Sequence, residues 1–396
     1  MSKQRYIRLL ATFLTVAMST MVMAENTVIV LSWDGVRYDY PDRGEFPALE
    51  RMAKQGMRGR LTTVYPSKTF PTHMSMATGT HPDTHGIVGN IFFDRKTETM
   101  FQYANDGDWV DAEPIWITAQ RQGVDAATYH WVASYSDWQG QSHRYREGPF
   151  NPLISDETKV DRILEWLDFP ANERPGLIMA YWSGTDGPGH RAGPDSPLVA
   201  EQLATQDVQL MRIINKLDQL QRWDETTLIV VSDHGMALVT ENIDVEGAID
   251  QAGIEAVVTR GPVGFVYLEQ ASDLQSALAA VKKLPHINVY TQADLPQSFR
   301  MAHPTRIGDL IITTSPPFTV GDPGGKIDGP GGTHGYHPDE DDMKAIIFAM
   351  GRNVKRGMVS RELHQIDLAP TISDLLGIKA PKHSEGKVME WVKKVR

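Results

Sequence analysis

Residues 27–33 (Thr-Val-Ile-Val-Leu-Ser-Trp) form a continuous β-favouring apolar run that stops at Asp34-Gly35. A strand apolar on both alternating sets of positions must be covered on both faces, which suits a parallel sheet between two layers of helices. Residues 176–181 and 226–232 repeat the pattern, and each is followed by a glycine-containing loop carrying Asp and His. Between these runs the periodicity switches to helical over residues 47–54, 115–122, 156–167 and 197–219. Further strands are expected at 59–64, 125–130 and 344–350, the last closing the core, with a final helix at 367–376. The alternation predicts an α/β fold, with a mostly parallel central sheet and helices on both faces.

From residue 243 to 319 the segments become shorter and mixed, with a helix expected at 273–283. This stretch reads as an inserted α+β subdomain, and the Pro/Gly-rich residues 315–332 return the chain to the main sheet. A chain of 396 residues, 41% hydrophobic and 22% charged, can build such a core. Residues 1–24 read as a secretory leader: Lys3, Arg5 and Arg8 precede an apolar run over 9–23 that ends in Ala24. Residues 25–396 are then the catalytic domain. No later segment is long and apolar enough to span a bilayer. Zero cysteines exclude disulfides and thiolate ligands. Export without cysteine suits the periplasm of a Gram-negative bacterium. A net charge of −11 with no basic run excludes a surface that tracks a nucleic acid polymer.

The chemistry-bearing residues gather at the predicted strand ends. Asp34 ends the first run, Asp186 and His190 follow the second, and Asp233 and His234 follow the third; His334 lies in Gly331-Gly332-Thr333-His334-Gly335-Tyr336. Carboxylates and imidazoles in glycine-rich loops suit zinc or manganese. These six side chains can supply three ligands to each of two four-coordinate ions, leaving positions for a nucleophile and a substrate oxygen. The nucleophile is expected in Pro66-Ser67-Lys68-Thr69-Phe70-Pro71-Thr72-His73, where a helix over about 72–78 places Thr69 among unsatisfied N–H groups in a field that favours anions. Lys68 is an electrostatic helper beside it.

As a set, these motifs resemble the nucleotide pyrophosphatase/phosphodiesterase family of the alkaline phosphatase superfamily. The resemblance runs from about residue 28 to 376, through Lys68-Thr69-Phe70-Pro71, Asp186-x-x-Gly189-His190, Ser232-Asp233-His234-Gly235-Met236 and His334-Gly335-Tyr336. It implies that Asp186, His190 and His334 hold one zinc, and that Asp34, Asp233 and His234 hold the other with Thr69 bridging toward it. It implies hydrolysis of phosphodiester or pyrophosphate bonds of a small nucleotide-like substrate through a phospho-threonine. The family has an Asn that donates to a non-bridging phosphate oxygen where this chain has Thr72, so the resemblance implies that the shorter Thr72 hydroxyl is the donor here, with base-stacking roles for Phe70 and Tyr181. Phe92, Phe93 and Tyr103 are additional pocket candidates, and Trp131-Val132-Ala133 departs from the Trp-Pro pattern of the family. The open alternatives are a phosphomonoesterase or phosphonate hydrolase of the same superfamily, and an exported binding protein without catalysis.

Overall fold

The computed structural model describes residues 26–324, 327 and 331–393; the expected leader at 1–24 lies outside them. The main sheet has eight strands: β1 (Thr27–Trp33), β2 (Met57–Thr62), β3 (Ala126–Tyr129), β4 (Tyr145–Glu147), β5 (Leu177–Trp182), β6 (Thr226–Val231), β7 (Ala345–Gly351) and β8 (Met358–His364). Their order is β8-β2-β7-β6-β1-β5-β3-β4. The helices that cover it or carry site residues are α1 (Pro47–Gln55), α2 (Thr69–Thr78), α3 (Ile115–Arg121), α4 (Asp156–Asp168), α5 (Asp186–Ala192), α6 (Pro197–Leu220) and α7 (Leu368–Leu376).

Alternation within β1 decides the layering. Val28 and Val30 pack with Met74 of α2, Trp116 of α3 and Ile372 of α7, whereas Ile29, Leu31 and Trp33 pack with Leu49 of α1, Ile163 of α4 and Leu210 of α6. Both sets are fully buried, which is why the run is apolar without a break.

Strand direction places the site. β1 pairs in parallel with β5 on one side and β6 on the other, Ser32 lying opposite both Tyr181 and Val231. Three carboxyl ends therefore finish level at the centre of the sheet, the position where open α/β sheets build their sites. β7 runs antiparallel to β6 and β2. Its incoming segment is thus delivered to the same edge, and His334 joins the site from upstream of its strand. β2 shares the direction of β6, so its exit carries Thr69 to that edge as well.

Several boundaries differ from those expected. α2 begins at Thr69, three residues earlier than the pattern suggested, because Lys68 already accepts the Thr72 N–H. β2 is shifted to Met57–Thr62, and β7 does not end the sheet, since β8 pairs in parallel with β2 at its edge. The half-exposed, charge-rich sequence of β8 hides it from an apolar-run criterion.

Between residues 256 and 313 a separate four-stranded antiparallel sheet forms from Ala256–Val258, Val263–Leu268, Leu310–Thr313 and Asn288–Thr291. Val266, Leu268, Leu310 and Ile312 turn inward to Ile249 and Ala277 of its own helices, while Phe265, Tyr267 and Ile311 face the main core. The period-2 pattern thus serves two cores at once.

Gly184 fixes the β5 exit. Its φ is +56°, and an added Cβ would overlap the backbone carbonyl of Asp34, which accepts from the N–H groups of Thr185 and Asp186. Gly123 also has positive φ, at +86°, but faces open space. Gly184→Ala should therefore lose several kcal/mol of stability, against roughly 1–2 kcal/mol for the conformational cost alone in Gly123→Ala. Urea denaturation of both variants tests this; equal losses would contradict it.

Candidate active site

Asp34, Asp233 and His234 each offer one ligand atom within 4.8 Å of the others, and Asp186, His234 and His334 form a second such group. The expected six residues converge, but His234 belongs to both groups. His190 reaches the second through Asp186, with Nε2 3.1 Å from Oδ1. His334 Nε2 lies 3.6 Å from the same oxygen, and His234 Nε2 lies 3.3 Å from Asp34 Oδ1 and 3.2 Å from Asp233 Oδ2.

Backbone carbonyls settle which imidazole nitrogen faces inward. His190 Nδ1 donates to Gly332 O at 2.7 Å, His234 Nδ1 to Gly235 O at 2.9 Å, and His334 Nδ1 to Ser67 O at 3.0 Å. A carbonyl can only accept, so all three leave an Nε2 lone pair for the centre. His73 differs. Its Nδ1 donates to Thr69 O and its Nε2 accepts from Ser32 Oγ, so both nitrogens are occupied although Asp233 Oδ2 is 3.6 Å away.

The carboxylates reveal what is missing. Asp34 Oδ1, Asp186 Oδ1 and Asp233 Oδ2 are buried with no hydrogen-bond partner. Burial, then the charges of Asp233 and Asp186, push the Asp34 carboxyl well above its ordinary range despite donation from Tyr181. For Asp186 burial acts upward too, but His190, with Nε2 3.1 Å from Oδ1, outweighs it and holds the group low. Burial and then His234 push His334 well down, keeping it neutral. Orphaned carboxylate oxygens facing imidazole Nε2 atoms are a donor set that divalent cations complete.

Thr69 occupies the first position of α2, with Oγ1 3.3 Å from His234 Nε2. The field there is thinner than the sequence suggested: Phe70 N–H donates to Asn90 Oδ1 at 3.0 Å, and Pro71 has no N–H. A cavity of about 300 Å³ opens beside Thr69. Phe70 lines it, edge-on to Tyr103, and across from it lie Tyr181 and Phe150 with ring centroids 5.8 Å apart. Tyr181 has a second part to play, since its hydroxyl donates to Asp34 Oδ2 at 2.6 Å.

Two expected site residues point elsewhere. Thr72 is fully buried, and its Oγ1 donates to the carbonyls of Lys68 and Thr69 at 2.8 and 3.0 Å, the back-bonding typical of a hydroxyl inside a helix turn. Lys68 sends Nζ to the carbonyls of Arg260 and Val263, both at 3.2 Å, and burial pushes its ammonium down to about 8. It fastens the α2 entrance to the smaller sheet. Of the aromatic candidates Tyr103 lines the cavity, whereas Phe92 is buried against Phe101 and Trp109, and Phe93 packs on Tyr267. Sequence reasoning passed over Asn90, whose NH2 is left for the cavity once Oδ1 is engaged, and Phe150. Neither lies in a motif or at a strand end. It also passed over Gln365, which accepts from Val64 N–H and donates to the carbonyls of Ser232 and Asp233, tying the β2 exit to the β6 exit.

A mostly parallel sheet with carboxylates and imidazoles converging on a helix-borne hydroxyl is an arrangement suited to a hydrolase of phosphoric ester bonds. The model of the type I phosphodiesterase / nucleotide pyrophosphatase family matches residues 28–337, and the chain belongs to that family. Human ectonucleotide pyrophosphatase/phosphodiesterase family member 5 is 29% identical over 374 residues, spanning 91% of this chain and 76% of that protein. Human bis(5'-adenosyl)-triphosphatase is 28% identical over 374 residues, spanning 89% and 78%. The structure of murine family member 5, in an inactive form complexed with AMP, superposes with a TM-score of 0.83 at 26% identity, covering 90% of this chain and 96% of that one. Enzymes of this family hydrolyse phosphodiester or pyrophosphate bonds, and nucleotide phosphodiesterase/pyrophosphatase activity is the function that the chain shares with them.

Tyr181→Phe removes the one side-chain donor on Asp34 Oδ2. It should weaken divalent-metal affinity about 10–100-fold, the usual loss when a ligand's outer partner is removed. Titration of zinc against a competing chelator measures it; unchanged affinity would show that Tyr181 serves only the cavity wall.

Proposed function

We propose that this chain cleaves nucleoside 5'-phosphodiesters or nucleotide pyrophosphates, with Thr69 as nucleophile and a phospho-threonine as intermediate. The observation that carries this reading is the aromatic slot opening directly beside Thr69 Oγ1. Phe70 and Phe150 offer flat apolar surfaces to a planar base, and base–aromatic stacking is worth about 1–3 kcal/mol per base. Attack of Oγ1 on phosphorus breaks the P–O bond to the first product, which leaves as the hydroxyl proton is given up, and the phospho-threonine formed still carries the nucleoside; water then cleaves that Thr–O–P ester, releasing the nucleoside 5'-monophosphate and returning a proton to the hydroxyl.

Asp34, Asp233 and His234 would hold one cation, and Asp186, His190 and His334 the other. Zinc is proposed for both, on the strength of the mixed carboxylate–imidazole donors. When bound, such ions supply Lewis-acid charge that makes a threonine hydroxyl nucleophilic near neutral pH and offsets charge developing on phosphate. Asn90 is placed to donate its NH2 to a non-bridging oxygen, the part assigned from the sequence to Thr72. Tyr181 orients Asp34, and His73 orients the α2 entrance through Thr69 O.

Diesters are favoured over monoesters because the slot contains no Arg or Lys among its described lining residues, and a monoester dianion needs added positive charge. The bis(5'-adenosyl)-triphosphatase relative supports a pyrophosphate-linked dinucleotide as one substrate. An exported, periplasmic location belongs to the same reading, supported by the leader-like start; no described helix is long and apolar enough to cross a membrane.

The decisive comparison is p-nitrophenyl thymidine 5'-monophosphate against p-nitrophenyl phosphate, on metal-replete wild type and Thr69→Ala. The diester should be strongly preferred, and Thr69→Ala should lose activity by on the order of 10³-fold or more. A monoester preference would place the chain with the phosphomonoesterases. Bound metal without turnover on either ester would favour phosphonates or a binding role.

A further inference from the structure

The slot beside Thr69 holds a buried imidazole that this chemistry leaves idle. His130 follows β3, is 4% exposed and lines the cavity. Neither of its ring nitrogens makes a hydrogen bond of good geometry to a described residue, although the Pro149 carbonyl lies close enough to act on the ring. Buried polar groups are nearly always satisfied, so an imidazole with both nitrogens orphaned at a cavity wall points to a partner that arrives with the substrate.

The backbone supports the same conclusion. His130 sits at φ +56° and Ala133, three residues on, at φ +59°. Left-handed conformations are costly for residues with a Cβ and persist where surrounding structure enforces them, commonly at ligand sites. The main-chain N–H donates to Glu147 O at 3.2 Å, and the ring stands edge-on to Tyr129 at 4.9 Å and Phe150 at 5.3 Å. The imidazole is therefore held against the aromatic wall on which a base would stack. Asn105 lies in the same cavity; its Oδ1 accepts from Ala133 N–H at 3.5 Å, and its NH2 makes no hydrogen bond to a described residue.

The ring is also kept in one charge state. Burial, and then the buried Lys159 ammonium, push His130 down to about 4, against a weak upward pull from the Pro149 carbonyl. Lys159 is itself paired with Asp156 at 3.1 Å. At neutral pH the ring thus offers one N–H donor and one lone pair, and Asn105 adds a two-hydrogen donor.

Resting on the nucleotide reading above, we propose that His130, with Asn105, hydrogen-bonds the edge of the nucleobase in the slot and so sets which nucleotides the chain accepts. Stacking alone tolerates every base, because every base has a π-face. Discrimination comes from polar groups that stay unpaired when the wrong partner, or none, is present. The substrates selected are those whose aromatic group carries donors and acceptors at its rim; an aryl ester lacking them meets only the stacking surface.

The test compares p-nitrophenyl thymidine 5'-monophosphate with bis(p-nitrophenyl) phosphate, a diester without a base, on metal-replete wild type, His130→Phe and His130→Gln. His130→Phe should lower kcat/KM for the nucleotide about tenfold, chiefly through KM, and leave the base-free diester within about twofold. His130→Gln, which keeps a donor and an acceptor, should recover most of the loss. Inhibition by 5'-AMP should weaken in His130→Phe while inhibition by ribose 5-phosphate stays as in wild type. Equal losses on both diesters would assign His130 a structural role, and no loss on either would leave it outside the substrate path; each result overturns the proposal. Failure of the functional reading looks different, because wild type itself would then prefer the base-free diester or the monoester.

Discussion

Two buried carboxylates, Asp34 and Asp233, held against each other beside the half-buried Asp186 are the constraint on which this structure turns. Ligand oxygens of Asp34 and Asp233 lie within 4.8 Å of each other, where two like charges repel by roughly 3–4 kcal/mol even at an effective dielectric constant of 20. Protein donors relieve only part of that. Tyr181 reaches Asp34, the backbone N–H groups of Gly35 and His234 reach Asp233 Oδ1, and one oxygen of each acid is left bare. A fold that keeps such a cluster rigid has its stability and its chemistry tied to the cations that neutralise it. The imidazoles, each fixed through Nδ1 by a backbone carbonyl, turn Nε2 toward these acids.

Rigidity comes from the sheet. Asp34, Asp186 and Asp233 follow three adjacent parallel strands whose register is locked on both faces by apolar packing, so their spacing follows from strand geometry. The loops are cross-tied as well: Asp34 O accepts from the β5 exit, Gly35 N–H donates to Asp233, and Gln365 spans from the β2 exit to the β6 exit. The smaller sheet closes the assembly through Lys68 and through Phe265 and Tyr267, which join the main core. A lysine beside a nucleophile is easily read as catalytic. Here its charge lies on two carbonyls, and its effect on Thr69 passes through the position of the helix start.

The slot wall is built on a different principle. Phe70 comes from α2, Tyr181 from a sheet strand, and Phe150 and His130 from segments around β3 and β4. Metal ligands must be set to within a few tenths of an ångström, and strand ends achieve that. A surface on which a base stacks tolerates more variation, so loops can carry it.

Much was legible in the sequence, for reasons that are local. Unbroken apolar runs at β1, β5 and β6 declare strands covered on both faces, and the Asp and His just beyond them can lie nowhere but the carboxyl edge. The family follows from that, and the six acid and imidazole side chains named from the sequence do converge on one edge, because motif and strand end coincide. Tertiary structure alone decided where side chains without such an address would point. Thr72 looked like a substrate donor until the helix began at Thr69 and drew its hydroxyl onto the backbone. Asn90, Phe150 and His130 gained their positions through contacts far along the chain, and β8 is defined only by its pairing with β2. A sequence displays periodicity and local hydrogen-bonding habit directly; the direction of a side chain across a cavity depends on packing among segments that the sequence does not place side by side.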